Sequence, residues 1–215
     1  MVLTINEDDP APVGTVEFSA TPYSVDENGG NATITVSRVG GTNHAVSVEY
    51  ATSDAGATAG VDYTTATGSL SWAAGDDTDK TFTVSVLDDT TYEWDEAVTL
   101  TLSNVSTNSS ISGSNPVALS ITEDDPNPGT VEFNAAGYSV WENGTTAVVT
   151  VQRVGGSAGA ISVQYATSDD TAIAGSDYTA TNGTLSWADG DATDKTFVVN
   201  IADDYDSEGN EALSL

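Results

Sequence analysis

Carboxylate side chains are the residues of this sequence whose type and spacing could do chemistry. In the first half of the chain they recur where short β-rich runs end, at Glu27, Asp62, Asp88, Asp89, Glu93, Glu96, Asp124 and Asp125. The second half carries matching acids at Glu142, Asp177, Asp203, Asp204, Glu208 and Glu211. Because strand-end loops at one end of a β-sandwich converge, we expect the acids of each half to share one small region.

Such clustered carboxylates repel one another unless a cation lies between them. Two like charges 4 Å apart repel by about 4 kcal/mol at an effective dielectric near 20. Ca²⁺ suits these loops, because it takes about six to eight oxygen ligands in flexible geometry, whereas Mg²⁺ demands a small octahedron. The alternative is a surface adapted to high salt, which would scatter acids over every face. The clustering favours a metal site.

Composition and charge exclude several other classes of function. With 33 acidic residues against 4 basic ones and a formal charge of −29, the chain would repel nucleic acid and anionic lipid, and no apolar run suits membrane insertion. It has no cysteine, and its single histidine, His44, corresponds to Gly159 in the second half. Paired carboxylates could serve a glycosidase, but here they come in duplicated groups of six to eight. We therefore predict that the protein is not an enzyme.

An internal repeat organises the whole chain. Residues 14–100 align without a gap with residues 129–215, and 52 of the 87 aligned positions are identical. In addition, INEDDP at 5–10 matches ITEDDP at 121–126. We interpret 1–10 as the tail strand of a preceding repeat, 14–126 as repeat 1, and 129–215 as repeat 2 lacking its last strand.

Within a repeat, short β-rich runs alternate with Gly, Asn and Asp turns and show no helical periodicity. The predicted strands of repeat 1 are Thr15–Phe18, Ala32–Arg38, Val46–Thr52, Ser69–Trp72, Thr81–Leu87, Ala97–Leu102 and Val117–Thr122. In the run 81–86, Phe82, Val84 and Val86 fall on one face, as a half-buried strand requires. The predicted fold class is all-β, with tandem Ig-like antiparallel β-sandwiches of about seven strands each.

Five sequence motifs together resemble the Calx-beta family over nearly the whole chain. They are V-x-E-N-G at 25–29, Y-x-T-S-D at 50–54, A-G-x-D-Y at 59–63, G-x-L-S-W at 68–72 and D-D-x-x-x-E-x-x-E at 88–96, and an E-D-D strand end follows at 123–125. That family includes regulatory calcium-binding domains of sodium–calcium exchangers, a cytoplasmic domain of integrin β4, and tandem repeats of large extracellular or adhesive proteins.

The resemblance implies that the acids given above are Ca²⁺ ligands in both repeats. Thr90 stands where a third consecutive Asp is common in the family, and Glu123 stands where the terminal run would also hold Asp, so the number of ions stays open. Repeat 2 has no terminal acidic run of its own. Asp8 and Asp9, which match Asp124 and Asp125, could supply it from a neighbouring molecule.

We therefore expect a calcium-binding structural or adhesive module of a large extracellular or cell-surface protein. Its partners would be neighbouring repeats, joined head to tail into a filament if Val2–Asp9 fills the open edge of repeat 2 as a donated strand. One alternative is a regulatory calcium-sensor pair. Another is a carbohydrate-binding or surface-ligand module, for which Trp94 and Trp141 would provide a platform.

Overall fold

The computed structural model describes residues 14–107, 109–203 and 209–215. The chain forms two compact units, Met1–Asp125 (unit 1) and Pro126–Leu215 (unit 2). The predicted tail strand 1–10 lies outside the described residues, so the repeat boundaries stay a prediction. Each unit is built from β-strands, which confirms the predicted fold class.

Unit 1 contains strands β1 to β10 and one 3-10 turn, Glu27–Gly29. The strands are Thr15–Phe18 (β1), Tyr23–Asp26 (β2), Asn31–Val39 (β3), Val46–Asp54 (β4), Tyr63–Thr64 (β5), Thr67–Trp72 (β6), Lys80–Val86 (β7), Glu96–Ser103 (β8), Ser110–Ile111 (β9) and Val117–Thr122 (β10). One sheet has the order β5-β7-β3-β1-β9 and the other β2-β10-β8-β4-β6.

The strand pairs of unit 1 are antiparallel except β1 with β9 and β2 with β10, which are parallel. The seven predicted strands all form, with ends shifted by no more than two residues. The short strands β2, β5 and β9 were not predicted. β5 and β9 have two residues each, too few for a periodic pattern, and β2 is held by its pairing with β10, which is distant in the sequence.

The core of unit 1 follows the alternation of the sequence. On β7, Phe82, Val84 and Val86 point inward and are at most 5% exposed. Trp72, at the end of β6, is fully buried, and its indole N–H donates to the Thr78 carbonyl at 2.6 Å. Burying these apolar faces is the main stabilising contribution to the sandwich.

Arg38 holds together the backbone of the loops around it. It is buried, and its guanidinium donates to the backbone carbonyls of Gly41, Ala73, Asp76 and His44. Five fixed donors let one side chain satisfy several loop carbonyls at once. The lysines do pair with acids, Lys80 with Asp76 at 2.9 Å and Lys195 with Asp191 at 2.7 Å.

In its described residues unit 2 forms one three-stranded sheet and two two-stranded sheets, in place of the two five-stranded sheets of unit 1. Its strands are Thr130–Phe133 (β11), Thr146–Val154 (β12), Ile161–Ala166 (β13), Ser168–Asp169 (β14), Asn182–Trp187 (β15), Lys195–Asn200 (β16) and Leu213–Ser214 (β17), and its 3-10 turn is Glu142–Gly144. Residues 138–141 match β2 in sequence but are not a strand. In unit 1 β2 is held by β10, and no described strand of unit 2 occupies that place.

Candidate metal centre

Parallel pairing of β2 and β10 places acidic residues at one end of unit 1, where these strands terminate. Thr122 lies opposite Asp26 in this register, so Glu27 and Glu123, the residues that follow, leave their strands side by side. The neighbouring strand β8 begins at Glu96 at the same end, opposite Ile121. The terminal acids of three strands therefore meet although they lie far apart in the sequence.

Glu27, Glu123 and Asp125 form the first acid group, whose carboxylate oxygens approach within 4.8 Å of one another. Glu27 is only 6% exposed. Burial, followed by the charges of Glu123, Asp89, Asp125 and Asp124, raises the pKa of Glu27 from 4.5 to about 7. The Oδ2 atom of Asp125 is buried and has no hydrogen-bond partner among the described residues. Among the described residues these three carboxylates form no ion pair with a basic side chain.

Asp62, Glu93 and Glu96 form the second acid group, also with oxygens within 4.8 Å. Asp62 is buried in the loop before β5, where its carboxylate accepts a 2.6 Å bond from the Thr58 backbone N–H. Burial and the neighbouring Asp62 raise the pKa of Glu96 to about 7 and raise that of Glu93. Buried carboxylates that repel each other favour protonation or a bound cation.

Three further predicted ligands of unit 1 lie outside these two groups. Asp124 accepts a hydrogen bond from the Asn28 side-chain amide, and Asp89 accepts one from the Thr91 backbone N–H at 2.6 Å. Asp89 still raises the pKa of Glu27 and Glu93 through its charge, and Asp88 raises that of Asp125. These acids add negative potential to the centre without converging on either group.

Glu123 belongs to the centre although it was not predicted as a ligand. Sequence reasoning noted it as a departure from the family pattern, where Asp is expected. Its Oε1 accepts a bond from the Asp125 N–H at 2.7 Å, which folds the terminal run back on itself. Its position directly after β10, beside two predicted ligands, was the signal that could have identified it.

The predicted ligands of unit 2 do not form an equivalent group in the part of the chain that the structure describes. Asp177 accepts a 2.7 Å bond from the Ile173 N–H, as Asp62 does from Thr58. Glu142, Asp203 and Glu211 are exposed. Asp8, Asp9, Asp204 and Glu208 lie outside the described residues. Both converging groups therefore belong to unit 1.

An open cavity of about 490 Å³ lies beside the first acid group. It is lined by Tyr92, Trp94, Asp95, Glu123, Asp124 and Asp125. Tyr92 and Trp94 pack edge to face with ring centroids 5.0 Å apart, and Trp94 is 66% exposed. Trp94 therefore lies at the rim of the acidic centre, whereas Trp141, in unit 2, is 85% exposed.

The donor set of unit 1 fits a hard divalent cation. All six converging side chains offer carboxylate oxygen, the ligand that Ca²⁺ and Mg²⁺ prefer, and none offers nitrogen or sulfur. The raised pKa values and the unpartnered oxygen of Asp125 are what a cation would relieve. The fold and these groups thus define a class: Ig-like β-sandwich domains with clustered carboxylates, compatible with a bound cation, where several strands end.

Comparison with known proteins identifies the family within that class. The model of the Calx-beta domain matches residues 9–125 and again 124–215. The chain belongs to the Calx-beta domain family and contains two tandem copies of the domain.

Its relatives include sodium/calcium exchangers. The chain is 32% identical over 222 residues to sodium/calcium exchanger 1 of Rattus norvegicus, a match covering 95% of this chain and 23% of the exchanger. It is 32% identical over 168 residues to sodium/calcium exchanger Calx of Drosophila melanogaster, covering 78% of this chain and 18% of that protein. The chain therefore spans about a quarter or less of the length of these relatives.

Two solved structures are similar to most of the chain. The crystal structure of calcium binding domain CBD12 of CALX1.1 matches with a TM-score of 0.51 and 30% identity, over 87% of this chain and 76% of that one. CBD12 from CALX1.2 matches with a TM-score of 0.51 and 29% identity, over 89% and 76% of the two chains.

None of the helices among the described residues is long and apolar enough to cross a membrane.

Proposed function

We propose that this chain is a regulatory calcium-binding module, a pair of Calx-beta domains in which unit 1 holds the principal calcium centre. The observation that carries the proposal is Glu27, a carboxylate 6% exposed, which faces Glu123 and Asp125 and forms no ion pair within the described part of the chain. A buried acid in such surroundings stays neutral or takes up a metal ion. The module acts by binding and not by catalysis.

Two comparisons support calcium as the cation. One matched structure is itself described as a calcium binding domain, and the matched curated relatives are sodium/calcium exchangers. The chemistry agrees, because flexible strand-end loops with Asp and Glu of different length suit the larger, more variable coordination shell of Ca²⁺. The transport activity in those names is not assigned to this chain, which matches only a part of each relative.

The residues of unit 1 explain how binding could be sensed. The ligands come from the turn after β2, the loop before β5, the loop 88–95, the start of β8 and the end of β10. Without a cation these segments repel each other, and this repulsion adds to burial, the larger cause, in raising the pKa values of Glu27 and Glu96. A bound calcium ion supplies the positive charge that joins them. This end of unit 1 then becomes stiffer, and a segment in contact with it can respond to the change.

The adhesive rod is the weaker proposal. The similarity of the two repeats favours it, since a rod needs only spacing, but the matched relatives are sodium/calcium exchangers and one matched structure is a calcium binding domain. An extracellular location and an adhesive or carbohydrate ligand gain no support from these comparisons. The exposed Trp94 is better explained as a rim over the acidic centre, because it packs on Tyr92 beside Glu123.

Calorimetric titration combined with thermal denaturation tests the proposal. Calcium at about 100 times its Kd should stabilise the folded state by about 2.7 kcal/mol and raise the Tm by about 10 °C or more. Magnesium should have a smaller effect. Glu27→Gln should remove most of the calcium-linked rise, whereas Asp76→Asn, in a turn outside the centre, should keep it. No binding heat and a Tm unchanged by calcium would contradict the proposal.

A further inference from the structure

The open cavity of unit 1 has two unlike walls. One wall is aromatic, because the rings of Tyr92 and Trp94 pack edge to face with their centroids 5.0 Å apart. The other wall is acidic and consists of Asp95 and the run 123–125. Ring faces attract positive charge, and carboxylates form charge-assisted hydrogen bonds with organic cations. The two walls together suit an organic cation.

Trp94 stands at a position that does not favour a large side chain. Its backbone φ is 80°, in the left-handed region, which is costly for any residue with a Cβ. The matched position of the second repeat holds Gly209, a residue that tolerates this region. Burial in the core does not account for the indole either, since Trp94 is 66% exposed. A contact with another molecule would give the ring a purpose.

The loop 88–95 carries the cavity residues separately from the predicted calcium ligands. Glu93 and Glu96 are kept in the second repeat as Glu208 and Glu211. The three cavity residues of this stretch all change, and Tyr92, Trp94 and Asp95 correspond to Ser207, Gly209 and Asn210. The repeat therefore keeps these carboxylates while it loses both rings and the cavity acid beside them. The cavity is a property of unit 1 that calcium ligation by itself does not require.

The basic side chains of the chain are all engaged elsewhere. Its 215 residues include four lysines and arginines. Arg38 and Arg153 are buried, and their guanidinium groups donate to backbone carbonyls of the surrounding loops. Lys80 and Lys195 each form an ion pair with an aspartate four residues earlier. A cation that fills the cavity therefore comes from outside these 215 residues.

We propose that the cavity binds an arginine of an arginine-rich partner segment, with the guanidinium stacked on Trp94 and paired with Asp95. Arginine suits these walls better than lysine, because its planar group stacks on rings and matches carboxylates with two hydrogen bonds. A segment suits the open cavity better than a small free cation, since its further arginines meet the exposed Asp88 and Asp89 of the same loop. The formal charge of −29 attracts such a segment.

Calcium should weaken the binding of the partner segment, a clause that rests on the proposed function. Glu123 and Asp125 belong both to the acidic wall and to the first acid group. A calcium ion held by that group would neutralise charge that attracts the guanidinium. We expect calcium to raise the Kd of the segment about fivefold or more, and the segment to weaken calcium by the same factor. Unit 1 would then hold its partner without calcium and release it with calcium.

Fluorescence anisotropy of a labelled peptide of alternating glycine and arginine tests the proposal in chelator. Salt at about 0.15 M screens attraction beyond about 8 Å, so that contact at the cavity decides the affinity. Trp94→Gly, which suits the backbone there, should raise the Kd about fivefold. Trp141→Ala, at an 85% exposed tryptophan of unit 2, should leave the Kd unchanged.

A pair of charge variants tests the acidic wall. Asp95→Asn should raise the Kd about threefold, because it removes one paired charge. The asparagine oxygen can still accept the bond that Asp95 receives from the Glu123 N–H. Asp77→Asn is the matched control, since Asp77 is an exposed acid of another loop, and it should leave the Kd unchanged.

Two competitors and the calcium dependence complete the experiment. A glycine–lysine peptide of the same length and charge should bind more weakly, and spermine should displace the arginine peptide only at much higher concentration. Absence of peptide binding, or equal Kd values for the parent and Trp94→Gly, would overturn the proposal. Spermine that competes as well as the peptide would assign the cavity to a small cation and also overturn it. Binding that needs Trp94 but ignores calcium would support the cavity and count against the calcium centre.

Discussion

The carboxylate of Glu123 accepts a 2.6 Å hydrogen bond from the backbone N–H of Glu93. Glu123 belongs to the first acid group and Glu93 to the second, so this bond ties the two groups of unit 1 together. The charge of Glu123 also raises the pKa of Glu27, Glu93 and Glu96. A change in one group is therefore felt in the other, and we expect the centre to titrate and to bind cations as a coupled unit.

The stability of the calcium-free protein should fall as the pH rises through neutrality. Glu27 and Glu96 have native pKa values of about 7 against ordinary values of 4.5. Between about pH 4.5 and about pH 7 the native state binds more protons than the unfolded state, so the free energy of unfolding decreases as the pH rises. Urea denaturation of unit 1 in chelator should give a lower midpoint at pH 8 than at pH 5.5. Excess calcium should reverse this order, because protons compete with the cation.

Glu27→Gln should separate the electrostatic cost of the centre from its function. In chelator at pH 8 the variant should be at least as stable as the parent, since it removes a buried charge facing Glu123 and Asp125. Its calcium affinity should fall at least about tenfold. Melting curves in chelator and calorimetric titration measure the two effects. A loss of stability in chelator, with calcium affinity kept, would mean that Glu27 is a packing residue only.

Calcium binding by the protein should depend on Asp62 and not on Asp177. Both accept a backbone N–H bond from the residue four positions before them, so substitution by Asn disturbs the two loops equally. Among the described residues, two glutamates, Glu93 and Glu96, lie beside Asp62, and no such pair lies beside Asp177. Asp62→Asn should remove most of the calcium-linked rise in Tm, and Asp177→Asn should leave it intact. Equal losses would place a comparable centre in unit 2.

Arg38→Lys should destabilise unit 1 by about 2 kcal/mol or more. The guanidinium bonds four backbone carbonyls in a buried place, and an ammonium group cannot reach them all, so each lost partner leaves a costly unsatisfied oxygen. Lys80→Met is the control, because it removes a half-exposed ion pair worth at most about 1 kcal/mol. Urea denaturation followed by Trp fluorescence measures both. Similar small losses would show that the loops do not need the arginine.

Trp72→Ala should cost about 3–5 kcal/mol of unit 1 stability, because the indole is fully buried and its N–H is bonded to Thr78. Trp94→Ala, at an exposed position, should change stability by about 0.5 kcal/mol or less. Fluorescence of Trp94 should respond to calcium, since it lies in the wall of the cavity beside Glu123. A calcium response that survives Trp94→Ala unchanged would assign the signal to another residue.

The sequence by itself determined the repeat, the all-β class and the family. Identity between 14–100 and 129–215 needs no structure to be seen, and alternation in runs such as 81–86 follows from the two-residue period of a strand. Regular acid positions at strand ends also indicated a cation centre. These features are local or periodic, so they can be read along the chain.

Only the tertiary structure decided which acids meet. Parallel pairing of β2 with β10 joins residues from opposite ends of unit 1 and brings Glu123 to Glu27, a contact that no local pattern encodes. The same topology leaves Asp124 bonded to Asn28 and outside the two groups. The topology also explains why Phe18 and Phe133, which are matched positions of the repeat, differ in exposure. Phe18 is covered by a core that contains β10, whereas no described strand covers Phe133 in this way. The sequence determines which residue types are available as ligands, and long-range strand pairing determines which of them lie close together.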